Sequence, residues 1–228
     1  MEVEVIKLAK WSDVHTYIDT GFLRIPLSVF EHIVQRSNYY PKHAFSSGQL
    51  ASKSWLLDKL RMHMPKDDNL CVAILGGWIG TLVDPLHRYF AIERIYGIDT
   101  DADAIEKSEK LNRKYVQNNW SYKGVVADVS LLYSDAMSFT TEGELINVKP
   151  NILINSSCEH MGTEWYETAD EDQLIVMQTN NSKEFDGHIN PCYTVKEMQD
   201  RYHLSKCLYV GELQTPVYTR YMQIGFKA

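Results

Sequence analysis

The sequence predicts an α/β protein with a doubly wound, mostly parallel sheet, preceded by a helical N-terminal extension. Three features of the pattern support this class. From residue 69 onward, short apolar runs alternate with segments of helical periodicity, which is typical of βαβ units. The first of these runs, residues 70–75, ends in closely spaced glycines. The last two runs, residues 208–213 and 220–226, are joined by a loop too short for a crossover helix, so these strands must be antiparallel.

The first strand leads into a turn with Gly76, Gly77 and Gly80, and a helix is predicted over residues 81–90. In open α/β sheets, a nucleotide-like ligand binds where such a turn begins a helix. A tight strand-to-helix connection without a ligand is the simpler alternative. A nicotinamide cofactor is disfavoured, because Trp78 interrupts the G-x-G-x-x-G pattern of dinucleotide-binding turns.

The remaining strands are predicted from short apolar runs that end in polar residues. They cover residues 95–98, 129–133, 151–154 and 174–177. Two helices begin at capping-box patterns: residues 100–103 start a helix to about residue 118, and residues 194–197 start one to about residue 202. The polar residues that follow the strands are expected on the ligand-binding side of the sheet.

Residues 1–66 are interpreted as a helical N-terminal extension or lid that packs on the α/β unit. Residues 3–8 could form a short strand, residues 25–35 and 50–64 are predicted helices, and residues 37–48 are a predicted loop. Ser47-Gly48-Gln49 and Lys53, at the start of the second helix, could contact a ligand. For Lys53, the pattern favours the alternative of a solvated helix face.

The composition disfavours several classes of protein. A net charge of −7 and a pI near 5.6 argue against a broad basic surface for nucleic-acid backbone. The four cysteines form no CxxC pair or Cys/His cluster, so structural zinc is not expected. No apolar run is long enough to span a membrane, and charges interrupt the N-terminal segment. These observations predict a cytoplasmic protein.

The order of elements resembles that of the class I S-adenosylmethionine-dependent methyltransferases, over about residues 69–228. The features that match are the glycine turn after strand one, Asp99 after strand two and the antiparallel pair at the end. The resemblance implies a seven-stranded sheet whose last strand is antiparallel, in a Rossmann-like domain over residues 67–228. It also implies S-adenosyl-L-methionine as the cofactor. The chain departs from the family at Ile74, where an acid is usual, and at Trp78, where a glycine is usual.

The resemblance further implies which residues contact the cofactor. The glycine turn would approach its amino-acid part, and Asp99 would accept hydrogen bonds from the ribose hydroxyls. Asp135 would read the adenine, with Asp128 as the alternative; Asp135 is preferred because it follows the cleaner apolar run. The predicted cofactor-binding residues are Gly76, Gly77, Trp78, Gly80, Asp99, Thr100, Asp135, Ala136 and Asn155.

Glu159 and His160, just after the fourth strand, are the candidate catalytic residues. A histidine can take or give a proton near neutral pH, and a glutamate can orient it or deprotonate a substrate nucleophile. An exposed loop pair without function is the alternative, and no metal is expected because no second set of clustered ligands is visible. The predicted substrate-binding residues are Ser157, Asn180, His188 and Tyr193, although turn chemistry explains Asn180 almost as well.

The resulting hypothesis is a methyltransferase that uses S-adenosylmethionine and acts on a small molecule or a protein side chain. A nucleic-acid substrate is disfavoured by the acidic charge and by the sequence Asn155-Ser156-Ser157-Cys158, which lacks the Asn/Asp-Pro-Pro-aromatic signature of nucleic-acid amino methylases. Two alternatives stay open. One is transfer or cleavage of the cofactor's aminocarboxypropyl arm, and the other is a non-catalytic cofactor-binding subunit. No membrane partner is expected, and the oligomeric state is left open.

Overall fold

The computed structural model describes residues 2–227, apart from residues 22, 24–32, 34, 37, 68, 118, 133–136, 142–143 and 183–186. The strands are β1 (Glu4–Lys7), β2 (Leu70–Leu75), β3 (Ile92–Asp99), β4 (Tyr122–Val126), β5 (Met137–Thr141), β6 (Glu144–Val148), β7 (Ile152–Asn155), β8 (Leu174–Asn180), β9 (Leu204–Gln214) and β10 (Thr219–Lys227). The α-helices are α1 (Trp11–Thr20), α2 (Ser47–His63), α3 (Val83–Tyr89), α4 (Ala102–Leu111), α5 (Arg113–Gln117), α6 (Glu164–Glu167) and α7 (Val195–Arg201). Single 3₁₀ turns lie at Lys42–Phe45, Val129–Leu131 and Cys158–His160.

The described strands form one eight-stranded sheet, in the order β1-β9-β10-β8-β7-β2-β3-β4, and a separate hairpin of β5 and β6. Strand β10 is antiparallel to both of its neighbours, β8 and β9, whereas the other neighbouring pairs of the large sheet are parallel. The predicted α/β class, the mostly parallel sheet and the antiparallel closing pair are therefore confirmed. Seven of these strands correspond to the expected sheet, and β1 is an addition to it.

Strand β1 lies at the edge of the sheet and pairs in parallel with β9, with Glu4 opposite Gly211. It confirms the short strand considered over residues 3–8, and most of its side chains are exposed, which suits an edge position. Lys59 of α2 donates a hydrogen bond of 3.0 Å to the Glu4 carboxylate and links this edge to the helix. The boundary drawn at residue 66 stays a prediction, and most of the predicted helix over residues 25–35 lies outside the described residues.

Helix α2 confirms the prediction over residues 50–64 and packs against the sheet as a buried helix. Trp55 and Leu56 are fully buried, and the Trp55 indole N–H donates a hydrogen bond of 3.0 Å to the Tyr209 hydroxyl. The expected solvated face is wrong for Lys53, which is buried along with Lys59. Helical periodicity reports which side chains are apolar, and a cavity or an ion pair can bury the polar ones as well.

The strand predicted over residues 129–133 is wrong, because Val129–Leu131 is a 3₁₀ turn and the strand beside β3 is β4. Two features hide β4 in the sequence. Lys123 is a buried lysine, and its ammonium pairs at 3.5 Å with Glu109 of α4. Gly124 allows α4 to approach, since a Cβ there would lie 2.7 Å from Ile105. Both residues interrupt the apolar pattern for reasons that depend on the packed helix.

The long helix predicted up to residue 118 is divided into α4 and α5 at Asn112. The Asn112 side-chain amide donates to the carbonyl of Gly80 at 3.0 Å and to that of Ser108 at 2.9 Å, which binds this point of the helix to the glycine turn. Among the described residues, no helix has the length and apolar character needed to cross a membrane.

Candidate functional site

A cavity of about 1180 Å³ opens at the carboxyl ends of the parallel strands. Its wall combines the turns after β2, β3, β4 and β7 with the end of β8, the start of β10 and the start of α2. Pockets for small ligands usually have volumes of about 300–1,000 Å³, so this one has room for a nucleotide-sized cofactor together with a substrate. The position at the carboxyl edge is where open α/β sheets bind their ligands.

The turn after β2 has three residues in left-handed backbone conformation, Gly76 (φ 62°), Trp78 (φ 47°) and Gly80 (φ 66°). Glycine adopts this conformation without strain, but for Trp78 it costs roughly 1 kcal/mol or more. Two contacts offset that strain. The backbone N–H of Trp78 donates a hydrogen bond of 2.8 Å to the Asp99 carboxylate. The Trp78 indole packs on the His43 ring, with 4.7 Å between the ring centroids. The indole is therefore part of the cavity wall.

Asp99 stands at the end of β3, where each carboxylate oxygen accepts one backbone hydrogen bond. Oδ2 accepts from Trp78 at 2.8 Å, and Oδ1 accepts from Asp101 at 3.1 Å. The N-cap of α4 is Asp101, whose carboxylate accepts from the N–H groups of Asp103 and Ala104. Because a carboxylate has about four acceptor positions, Asp99 keeps acceptor capacity for hydroxyl groups of a ligand. Thr100 lies beside it on the cavity wall.

Asp128 follows β4 and also lines the cavity. Its Oδ1 accepts hydrogen bonds from the Ser130 N–H at 2.9 Å and from the Ser130 hydroxyl at 2.7 Å, which holds the carboxylate in place. Asp135 and Ala136 lie outside the described residues. The reason for preferring Asp135 is lost, because the apolar run before it is not the strand beside β3.

Glu159 belongs to the 3₁₀ turn after β7 and is only 2% exposed, so the alternative of an exposed loop residue is wrong for it. Its Oε1 accepts a hydrogen bond from the Asn180 amide and lies 3.8 Å from Nη1 of Arg220. Its Oε2 is buried, and no described residue donates a hydrogen bond to it; the same lack of a partner holds for Nε of Arg220. Buried polar atoms without partners are costly, and at a cavity wall they indicate that a ligand satisfies them.

His160 and His188 lie next to Glu159, with 4.6 Å between their ring centroids. Nδ1 of His160 is 3.1 Å from the carbonyl oxygen of Gly187, and Nδ1 of His188 is 2.8 Å from that of Ser182. One potential ligand atom from each of Glu159, His160 and His188 lies within 4.8 Å of the other two. The cavity therefore has a cluster of an acid and two imidazoles in its wall.

The chain is similar to solved methyltransferase structures over most of its length. It matches a geranyl diphosphate methyltransferase in complex with SAM, with a TM-score of 0.57 and 13% identity, over 79% of this chain and 87% of that chain. The magnesium protoporphyrin IX methyltransferase of Synechocystis PCC 6803 with bound SAH gives a TM-score of 0.55 and 13% identity, over 78% and 84% of the two chains. A Pyrococcus horikoshii protein described as a candidate RNA methyltransferase gives a TM-score of 0.52 and 14% identity, over 78% of this chain and 83% of that chain. The fold is that of the class I S-adenosylmethionine-dependent methyltransferases.

At these identities, the likeness establishes the methyltransferase fold and confirms the resemblance predicted from the sequence. No protein-family model matches the chain, and no curated protein sequence does.

Most of the predicted site residues meet in this cavity. Those that line it are Gly76, Gly77, Trp78, Gly80, Asp99, Thr100, Ser157, Glu159, His160, Asn180 and His188. Asn155 lies behind the wall: it is fully buried, and its Oδ1 accepts a hydrogen bond of 3.0 Å from the Ser157 N–H. Tyr193 lies away from the described lining, and its carbonyl accepts a hydrogen bond of 2.6 Å from the Tyr221 hydroxyl. The Asn155 side chain therefore supports the turn after β7, and the substrate contact of Tyr193 stays a prediction.

Arg220 lines the cavity but was not predicted as a site residue. Lys53 also lines it, in a buried position, so the structure supports the less favoured of its two interpretations, a contact with a ligand. Arg220 is 3% exposed at the start of β10, opposite Asn180 in the sheet register. Nζ of Lys53 donates a hydrogen bond of 2.8 Å to Gln49, and burial, followed by the charge of Arg220, lowers the pKa of Lys53 to about 7. A charged residue inside the apolar run 220–226 was the sequence signal for Arg220. For Lys53, the signal was its position near the start of the helix over residues 50–64.

Proposed function

We propose that the chain binds S-adenosyl-L-methionine in this cavity and transfers its methyl group to a small molecule or a protein side chain. The observation that carries the proposal is the meeting of the glycine turn, Asp99 and Asp128 at one cavity wall. These features follow three neighbouring parallel strands, β2, β3 and β4, at the edge where the fold binds nucleotides.

The described residues fit the three parts of this cofactor. The backbone of Gly76 and Gly77 lies open at the wall for the amino-acid part, and a Cβ at Gly76 would lie 2.8 Å from the Met161 methyl group and narrow the space. Asp99 is positioned to accept hydrogen bonds from the ribose hydroxyls. Asp128 replaces Asp135 in the proposal as the acid that receives the adenine amino group.

The chemistry requires alignment more than any special reactive group. When bound, S-adenosylmethionine supplies an electrophilic methyl group on its sulfonium centre. The protein has to hold the nucleophile in line with that group and keep water out, which lowers the entropic part of the barrier. A base is needed only where the nucleophile carries a proton at neutral pH.

Glu159 and His160 are the residues proposed to assist the nucleophile. The Asn180 amide and the Arg220 guanidinium both lie at Oε1 of Glu159, so Oε2 is the carboxylate oxygen that remains for the nucleophile or its proton. Ser157 and His188 line the same part of the cavity and are proposed to contact the substrate. The buried Arg220 guanidinium favours a substrate with an anionic group near the reacting atom.

The test is cofactor binding followed by identification of the by-product. Calorimetry with S-adenosylhomocysteine is expected to show binding, and absence of binding would refute the proposal. The protein is then incubated with methyl-labelled S-adenosylmethionine and, separately, with a small-molecule fraction and a protein fraction of a cell extract. Labelled product together with S-adenosylhomocysteine supports methyl transfer. Methylthioadenosine would instead indicate transfer or cleavage of the aminocarboxypropyl arm, and binding without turnover would indicate a non-catalytic subunit.

A further inference from the structure

We propose that Glu159, His160 and His188 form a binding site for a divalent transition-metal ion, with Zn²⁺ the best-matched ion. The proposal goes beyond methyl transfer, and it concerns the chain without any cofactor. Its first support is geometric. One potential ligand atom from each of the three residues lies within 4.8 Å of the other two. Donors around a tetrahedral ion with bonds of about 2.1 Å stand roughly 3.4 Å apart, so side-chain adjustments of roughly 1 Å complete the set.

The second support is the way both imidazoles are oriented. Nδ1 of His160 and Nδ1 of His188 each lie at hydrogen-bond distance from a backbone carbonyl, of Gly187 and Ser182 respectively. A carbonyl oxygen can only accept, so each Nδ1 donates, and Nε2 is the ring nitrogen that can coordinate an ion. Histidine ligands of metals are held in this way, with the other ring nitrogen donating to a carbonyl or a carboxylate.

The third support is the Glu159 carboxylate, in which the protein holds one oxygen and the other oxygen could coordinate an ion. The Asn180 amide and Arg220 engage Oε1 of Glu159, whereas Oε2 is buried without a hydrogen-bond donor among the described residues. A cation on Oε2 would satisfy this atom. Arg220 competes for the same negative charge, but its closest approach is 3.8 Å and is to the other oxygen. The protein thus fixes one atom of each of the three side chains: Oε1 of Glu159 and Nδ1 of each histidine.

Two histidines and one carboxylate are a ligand set found in catalytic zinc sites and in non-haem iron sites. Three protein ligands leave at least one coordination position open for a ligand from the cavity, which all three residues line. A substrate hydroxyl bound at the open position would lose its proton more readily, because a divalent ion lowers the pKa of an oxygen that it coordinates. In the metal-loaded protein, Glu159 is thus a ligand, and the ion assists the nucleophile.

The sequence did not predict this site because no ligand cluster is visible along the chain. His188 follows a different strand from Glu159 and His160, and only the parallel pairing of β7 with β8 brings the ends of the two strands together. The three residues are distant in sequence, which is why the spacing rules for zinc ligands do not find them.

The experiment titrates the full chain, freed of metal with EDTA and without any cofactor, with ZnCl₂ in a calorimeter. Titration with CoCl₂ is followed by visible absorption, which reports the coordination of the ion directly. The wild type is expected to bind one ion. His160→Ala and His188→Ala are each expected to weaken binding at least about tenfold, the lower end of what is lost when the surroundings of a metal ligand are altered. His203→Ala, an exposed histidine outside the cavity lining, is the matched control and should bind as the wild type does.

A second measurement shows whether the variants are folded. The metal-free variants should keep the circular dichroism spectrum of the wild type, and Zn²⁺ should raise the melting temperature of the wild type and of His203→Ala, but not of the two ligand variants. The proposal is overturned if the wild type binds no ion in one-to-one stoichiometry, or if the ligand variants bind as tightly as the wild type. Failure of the methyl-transfer proposal would be seen separately, as an absence of S-adenosylhomocysteine binding.

Discussion

The Arg220 guanidinium lies 3.8 Å from the Glu159 carboxylate, and both side chains are buried in the wall of the same cavity. The two residues come from the start of β10 and from the turn after β7, so their proximity depends on β10 being inserted antiparallel beside β8. This pair places a compensated negative charge next to the two histidines.

Replacement of one member of this pair is expected to destabilise the fold. Arg220→Met leaves a buried carboxylate without its cation, which costs about 3–5 kcal/mol in comparable pairs. The double variant Glu159→Gln/Arg220→Met should lose less than the sum of the two single variants, because no uncompensated charge remains. Urea unfolding of the four proteins measures this coupling. Strictly additive losses would show that the two charges do not interact.

Asp99 and Asp101 allow cofactor binding to be separated from helix capping. Asp99→Ala removes the acceptor proposed for the ribose and is expected to weaken S-adenosylhomocysteine binding at least about tenfold, in line with about 1.5–3 kcal/mol for a hydrogen bond to a charged group. Asp101→Ala removes the N-cap of α4 and should cost about 1 kcal/mol of stability with little change in affinity. Calorimetry and thermal unfolding distinguish the two effects. Equal affinities of both variants would contradict the role of Asp99.

The acid that reads the adenine can be identified by a second matched pair. Asp128→Ala is expected to reduce S-adenosylhomocysteine affinity about tenfold, since Asp128 lies on the cavity wall after β4. Asp135→Ala should leave the affinity within about twofold of the wild type, a difference of less than 0.5 kcal/mol. If Asp135→Ala weakens binding and Asp128→Ala does not, Asp135 is the residue that contacts the adenine.

Lys53 should make stability depend on pH in the range above neutrality. Burial, and then the nearby charge of Arg220, lower the pKa of Lys53 to about 7 in the folded chain, whereas its usual value is 10.5. Between these two values the unfolded chain binds more protons than the folded chain, so this residue makes stability rise as pH increases, by at most about 1.4 kcal/mol per pH unit. Below the pKa of the folded chain, Lys53 is protonated in both the folded and the unfolded chain, and it no longer makes stability depend on pH.

The matching experiment compares the wild type with Lys53→Met between about pH 6 and pH 9, a window around that pKa. The free energy of unfolding of the wild type should rise relative to that of the variant above neutrality, because the variant has no ammonium to neutralise. Using the difference between the two proteins cancels the titration of tyrosines and cysteines common to both. Parallel pH curves would show that Lys53 stays protonated in the folded chain.

Much of the site could be predicted because its signals are local. The glycines after β2 and Asp99 at the end of β3 lie within or next to strands that their own apolar runs reveal. The candidate pair Glu159 and His160 was found for the same reason, as the polar residues that follow β7. Asp128 was ranked below Asp135 because β4 includes Lys123 and Gly124, which are suited to contacts with α4 that the sequence alone does not display.

By itself, the sequence determined the α/β class, the parallel strands of the central sheet other than β1 and β4, and the antiparallel closing pair, since each follows from short-range periodicity and loop length. Only the tertiary structure decided which polar residues share the cavity. Lys53, Arg220 and His188 come from α2, the start of β10 and the segment after β8, and they meet Glu159 through strand pairing and helix packing across the whole chain. Such contacts leave no trace in local spacing, because their energy comes from burial and charge compensation between distant segments.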